Sequence, residues 1–146
     1  SKIIVGVDGS ETSDNAVRIA CDLAQKYDGA IHIVHTPQPQ TVAFALGAVA
    51  GYHAVTTMPS QQEVDMAAHK IVDDATAVAQ SCGCASASSR TEQGDPGTES
   101  TRCAEEIGAD LIVTGRRGLG SIGSLVQGST SQRVNHLAKC ATLAVI

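Results

Sequence analysis

The sequence predicts one α/β domain, built on a doubly wound parallel sheet with helices on both faces. Two observations support this fold class. Short apolar runs alternate regularly with amphipathic segments along the 146 residues, and the clearest strands are apolar throughout. Strands of a parallel sheet have this pattern because helices cover both of its faces. The length suits a single domain, and 42% apolar residues suffice for a core without disulfides or metals.

The first predicted strand covers residues 2–7, a β-branched run that stops at Asp8-Gly9-Ser10. Residues 16–24 carry apolar side chains at helical spacing, and Asp28-Gly29 ends that helix. The apolar run at 30–35 predicts the second strand. These elements form the first strand–helix–strand unit.

The next segment lacks a clear period. Residues 37–59 contain three prolines and two glycines around a weakly apolar middle. We expect a long mobile loop or lid there, with room for a short helical turn. Loops of this length in compact domains are usually functional or disordered.

The second half returns to alternation. Ser60 and Glu63 fit a capping box that opens a helix to Ser81. A weak strand at 85–91, a turn at 94–97, a helix at 98–107 and a fourth strand at 110–114 follow. A helix at about 129–138 and a last strand at 142–146 end the chain. Ligands of such folds bind beyond the carboxyl ends of the strands.

A glycine-rich loop, residues 115–131, follows the fourth strand. Glycine at this density weakens helices and strands, so a closely bound ligand is a common reason for it. The loop lacks a Walker A motif, and its one G-x-G-x-x-G stretch, 118–123, does not follow a first strand. The loop and the Asp8-Gly9-Ser10 turn both belong to the carboxyl edge. They would be neighbours if strands one and four are adjacent.

The loop suits phosphate. Gly115 and Gly118 can expose backbone N–H groups, and Gly128 and Ser129 stand where the next helix begins, with its free amides and positive dipole end. The hydroxyls of Ser129 and Ser131 can add hydrogen bonds. Residues 111–146 carry four basic side chains and no Asp or Glu. A flexible surface loop with an ordinary serine N-cap remains the alternative, and Asp8 in turn could merely satisfy turn amides or cap a helix.

Composition argues against several other classes. A net charge of −5 with one Phe, two Tyr and no Trp disfavours nucleic-acid binding. Five cysteines, including Cys82-Gly83-Cys84, are expected to be reduced thiols, and five scattered histidines show no zinc spacing. No leader opens the chain and no apolar run could cross a membrane. We therefore expect a soluble, cytoplasmic protein without a membrane partner.

The chain resembles the universal stress protein family over essentially its whole length. The resemblance rests on the opening stretch from Ile3 to Ser10, the Gly94-Asp95-Pro96 turn, the stretch from Ala109 to Gly115, and the spacing G-x2-G-x9-G-S that is typical of the family's ATP-binding branch. It implies a sheet in the order 3-2-1-4-5, the adenine nucleotide alpha hydrolase-like fold, a cytoplasmic homodimer and a role in stress survival.

The resemblance also implies a site. Asp8 would contact the nucleoside of ATP, and Thr36 would lie near the adenine through its backbone. The phosphates would be held by four residues of the loop, Gly115, Gly118, Gly128 and Ser129, and Ser131 would add a hydroxyl. Mg²⁺ would accompany the triphosphate. The family's last strand usually reads Pro-Val-Leu-Val-Val and pairs across the dimer. Residues 141–146 depart from that pattern, so pairing stays possible but its strength is open.

The sequence favours nucleotide binding over catalysis. Hydrolysis needs a group that orients water, and no convincing base is apparent. ATP would then be a regulatory ligand with slow turnover at most. The alternative is a dimeric interaction module that binds no nucleotide. An adenylating enzyme would need a substrate pocket that the sequence does not identify.

Overall fold

The computed structural model describes residues 1–47, 59–116 and 128–146, and these form one all-parallel sheet. The strand order is β3-β2-β1-β4-β5, which confirms the predicted order. The five strands are β1 (Lys2–Val7), β2 (Ala30–His35), β3 (Ser88–Thr91), β4 (Leu111–Gly115) and β5 (Ala141–Val145). Because β1 and β4 are adjacent, the loops that follow them leave the sheet side by side.

Helices cover both faces of the sheet, as predicted. They are α1 (Glu11–Lys26), α2 (Pro39–Gly47), α3 (Gln61–Ser81), α4 (Pro96–Ile107) and α5 (Ser129–Leu137). Helices α1 and α3 pack on one face, with α2 against α3, while α4 and α5 pack on the other. The predicted capping box of α3 is present, because Ser60 and Glu63 each bond the other's backbone N–H. None of the helices in these ranges is long and apolar enough to cross a membrane.

The strands supply both halves of the core. Ile3, Val5 and Val7 point toward α1 and α3, whereas Ile4 points toward α4 and joins Ile112. All five are at most 6% exposed. Burial on both faces explains why β1 is apolar along its length.

The prediction of a loop over residues 37–59 is wrong for residues 39–47. Residues 39–47 form α2, which buries Thr41, Val42 and Ala45. The Thr41 hydroxyl accepts a hydrogen bond from Gln38 N at 2.9 Å, which ties the start of the helix to the preceding chain. Packing against α3 stabilises a segment whose sequence period is weak. Residues 48–58 lie outside the described part of the chain.

Candidate functional site

The turn after β1 is organised by Asp8. Its Oδ1 accepts hydrogen bonds from Ser10 N at 2.9 Å and from Ser10 Oγ at 2.6 Å. Ser10 Oγ in turn accepts from Ser13 N at 3.2 Å and caps α1. The structural role that the sequence left open for Asp8 is therefore present. It fixes the carboxylate at the carboxyl edge of the sheet.

Gly9 lies where three elements meet. Its φ of +89° is a backbone conformation that residues with a side chain rarely adopt. A Cβ there would lie 3.2 Å from Ile71 Cγ1 and 3.6 Å from Phe44 Cδ1. The turn thus sits directly against α3 and α2, and Phe44, 53% exposed, borders it.

Thr36 follows β2 at the level where Asp8 follows β1. The register pairs Val7 with His35, so the two next residues leave adjacent strands together. Thr36 is buried, at 4% exposure. Its predicted place beside the nucleoside remains a prediction, and the sheet register is compatible with it.

His35 belongs to this edge as a buried side chain, and the sequence analysis, which found only that the histidines show no zinc spacing, did not name it as a site residue. It is 1% exposed, and its Nδ1 lies 2.8 Å from Val7 O, so an Nδ1–H donates there and Nε2 carries no proton when the ring is neutral. Nε2 has no hydrogen-bond partner among the described residues. Burial lowers the pKa of His35, although the bond to Val7 and the charge of Asp8 oppose that shift. Its position in register with buried Ile31 and Ile33 was the signal available in the sequence.

The end of β4 touches the start of α1. A Cβ at Gly115 would lie 3.1 Å from Thr12 Cβ and 3.2 Å from the Thr12 carbonyl carbon. The predicted proximity to the β1–α1 turn is therefore confirmed for Gly115, the first residue of the glycine-rich loop. This contact also gives Gly115 a packing reason to be glycine, independent of any ligand.

The two described ends of the glycine loop are joined. Gly128 N donates to Arg116 O at 2.6 Å, and Arg116 N donates to Val145 O at 2.6 Å. Ser131 Oγ lies 3.0 Å from Arg116 O and 3.1 Å from Gly128 O, and Ser131 is buried. We call this set the loop neck. The Ser131 hydroxyl therefore has backbone partners within the loop neck, in addition to the ligand contact predicted for it.

Helix α5 starts at the loop neck. Its N-cap is Gly128, with φ −65° and ψ 153°, and no side chain of the described residues caps it. Ser129 is its first residue and is exposed, so the ordinary serine N-cap considered above is not what the structure contains. The first turn carries no acidic side chain. The first-turn amides at the positive end of a helix dipole suit an anion.

The predicted site residues that the structure describes thus lie at the carboxyl edge of the sheet or at the start of α5. Asp8 and Thr36 leave neighbouring strands, and Gly115, Gly128 and Ser129 follow from β4 through the loop neck. Gly118 lies outside the described residues. Among the described residues, no group of three or more His, Cys, Asp or Glu side chains is arranged so that it could hold a metal ion.

Comparison with known proteins gives a consistent relationship. The model of the family described as the universal stress protein family matches residues 1–145. The chain is 29% identical over 151 residues to the universal stress protein YxiE of Bacillus subtilis, covering 99% of this chain and 98% of that one. It is 32% identical over 143 residues to a universal stress protein of Thermus aquaticus, covering 98% and 96%.

Solved structures share the fold. A universal stress protein in complex with cAMP matches with a TM-score of 0.70 and 24% identity over 100% of this chain and 96% of its own. One from Archaeoglobus fulgidus with dAMP gives 0.69 and 19%, over 99% and 97%. One from Arabidopsis thaliana with AMP bound gives 0.63 and 15%, over 99% and 90%.

Proposed function

Because the chain belongs to the universal stress protein family, we propose that it binds an adenine nucleotide at the carboxyl edge of its sheet. The ligand is ATP with Mg²⁺, as in the family's ATP-binding branch, and it acts as a regulatory ligand in a cytoplasmic stress response. The observation that carries the proposal is the contact between Gly115 and Thr12. It joins the Asp8 turn to the loop neck, so a nucleoside site and a phosphate site adjoin.

The described residues suit the two ends of such a ligand. The start of α5 offers the first-turn amide of Ser129 and the positive end of a helix dipole to phosphate, next to the N-cap Gly128. The Asp8 carboxylate and the backbone at Thr36 offer acceptors to the nucleoside. Solved structures of the same fold contain cAMP, dAMP or AMP, which supports an adenine nucleotide as the class of ligand.

Regulation is favoured over turnover. Asp8, a carboxylate at this edge, uses Oδ1 to hold the β1–α1 turn, an arrangement suited to positioning rather than to moving a proton. Phosphoryl transfer to water requires an oriented nucleophile and compensating positive charge. We therefore expect slow hydrolysis or none, well below the ~1 s⁻¹ of ordinary enzymes.

The first experiment measures nucleotide that co-purifies with the protein. Protein purified without added nucleotide is denatured, and adenine nucleotides in the supernatant are quantified by anion exchange. We expect a near-stoichiometric ATP peak, or a rise in melting temperature on adding Mg-ATP to empty protein. An empty protein whose melting temperature ignores Mg-ATP would favour the interaction module instead.

A pair of variants locates the site. Asp8→Asn keeps an oxygen for the Ser10 donors but replaces the second carboxylate oxygen, so ATP affinity should fall by about tenfold or more. Asp110→Asn is the matched control, because Asp110 precedes β4 at the opposite edge and accepts from Lys2 N at 2.9 Å. Equal ATP affinity in both variants would argue against the proposed site.

A homodimer through β5 is part of the proposal. This strand ends the sheet order, and Leu143 and Ile146 on or beside it are 37% and 72% exposed. An exposed edge with apolar side chains is suited to strand pairing. Leu143→Arg should shift the sedimentation coefficient from dimer to monomer. A wild-type protein that sediments as a monomer would oppose this part of the proposal.

A further inference from the structure

Three of the five cysteines lie together, away from the candidate nucleotide site. Cys21 is on α1 and fully buried, while Cys82 and Cys84 follow α3 and are half-buried against the same core. Cys84 Sγ lies 3.9 Å from Cys21 O, and the Cys21 thiol donates to Ala79 O, near the end of α3, at 3.8 Å. We call these residues the thiol cluster. All three are reduced in the structure.

The turn that carries Cys82 and Cys84 is held against α1. Cys84 N donates to Ala79 O at 2.9 Å, and Gln25 Nε2 on α1 donates to Cys82 O at 2.8 Å. Gly83 has φ +91°, and a Cβ there would collide with Gln25 Nε2. These constraints keep the Cys84 side chain over Cys21 rather than in solvent.

We propose that the thiol cluster is a peroxide-responsive site in which Cys84 and Cys21 form an intramolecular disulfide. In the first step the Cys84 thiolate attacks one oxygen of hydrogen peroxide. The O–O bond breaks, Cys84 becomes a sulfenic acid, and the other oxygen leaves as water after taking up a proton. In the second step Cys21 sulfur attacks Cys84 sulfur, and the hydroxyl leaves with the Cys21 proton as a second water.

The environments of the two thiols assign these roles. Cys84 is half-buried and reachable, so it meets the peroxide first. Cys21 is buried, and its pKa is raised to about 12, first by burial and then by hydrogen bonding to Cys84. It therefore remains a thiol at neutral pH and can act only on a sulfur brought against it. The disulfide should form slowly at neutral pH and faster in alkali.

The link would couple two helices that border the candidate site. Residues 21 and 84 are 63 positions apart and would join α1 to the end of α3. The same helices supply Thr12, against Gly115, and Ile71, against Gly9. Oxidation would thus restrain the helices that hold the β1–α1 turn. The proposal does not depend on nucleotide binding.

The test is peptide mapping after mild oxidation of the folded protein. Protein is treated with a small excess of hydrogen peroxide, free thiols are alkylated, and the chain is digested with trypsin without reductant. Cys21 lies in the peptide 19–26, whereas Cys82 and Cys84 share the peptide 71–90. We expect a linked pair of these peptides, about 2 Da lighter than the sum of the peptide 19–26 and the peptide 71–90 alkylated once at Cys82, that disappears after reduction.

Variants identify the sulfur atoms. Cys21→Ala and Cys84→Ser should each lose the linked pair, while Cys82→Ser and the distant control Cys140→Ser should retain it. If Cys21→Ala does not fold, Cys84→Ser alone still decides the assignment. Five alkylated cysteines after oxidation would overturn the proposal. A disulfide confined to the peptide 71–90 would also overturn it, because that would join Cys82 to Cys84.

Discussion

Replacing Gly9 with alanine should destabilise the protein by about 2–5 kcal/mol, through two separable causes. The first is the backbone, because φ is +89° at this position. A residue with a Cβ pays about 1–2 kcal/mol for a left-handed conformation. The second is space, because the new Cβ would lie 3.2 Å from Ile71 Cγ1. Overpacking of this kind costs about 1–3 kcal/mol.

Two other glycines separate these causes. Gly108, the C-cap of α4, has φ +68° but no atom of the described residues within 4 Å of an added Cβ, so Gly108→Ala should cost about 1–2 kcal/mol. Gly47, at the end of α2, has neither a positive φ nor such a neighbour. Gly47→Ala should therefore be neutral or stabilise by up to about 1 kcal/mol.

Urea unfolding of the three variants at one temperature gives the comparison. We expect the free energy of unfolding to fall in the order Gly47→Ala, Gly108→Ala, Gly9→Ala. If Gly9→Ala lowers the free energy of unfolding no more than Gly108→Ala does, crowding against Ile71 does not contribute to the loss. A cost no larger than that of Gly47→Ala would refute the backbone argument as well.

Two further predictions follow from titratable groups. Burial lowers the pKa of His35 below its unfolded value of 6.5, so its stabilising contribution is complete above about pH 6.5 and is lost as the pH falls toward the folded pKa. His35→Asn should make the free energy of unfolding in urea less pH-dependent between about pH 7.5 and 5.5; a pH dependence equal to that of the wild-type protein would contradict this. Because the pKa of Cys21 is about 12, iodoacetamide at about pH 8 should label Cys82 and Cys84 before Cys21. Equal labelling rates, measured by peptide mapping of the folded protein, would contradict the assigned burial.

The alternating pattern was sufficient for the fold, and the first strand shows why, because it ends in a recognisable turn. The run at 2–7 stops at Asp8-Gly9-Ser10, where a positive φ and a helix cap are both satisfied by these residue types. The side-by-side position of the two edge loops also followed, once strands one and four were taken as neighbours. Local signals are reliable here because each agrees with the tertiary packing.

Other features depend on contacts that are remote in sequence. Helix α2 has no clear period, and its burial against α3 only appears in three dimensions. The same holds for His35, whose partner Val7 is 28 positions away, and for Ser131, whose hydroxyl reaches Arg116. A spacing motif describes residue types along the chain, but it does not show which of them packing already explains.

This ambiguity determines which variant can test phosphate binding. Gly115 packs against Thr12 and Ser131 closes the loop neck, so replacing either would perturb the fold as well as any ligand. Ser129 is different, because it is exposed and is the first residue of α5. Proline is tolerated at that position, and Gly128 already has the extended backbone required before proline, with ψ 153°.

Ser129→Pro therefore removes one backbone N–H from the proposed phosphate site while leaving the helix start intact. A hydrogen bond to a charged group contributes about 1.5–3 kcal/mol, so the Kd for ATP should rise by about 10- to 100-fold. Ser129→Ala keeps the N–H and loses only the hydroxyl, which makes it the matched control. Calorimetric titration with Mg-ATP and urea unfolding would be measured on both. If the two variants bind ATP equally while unfolding at the same urea concentration, the amide at position 129 does not hold phosphate, and the anion-binding role assigned to the start of α5 fails.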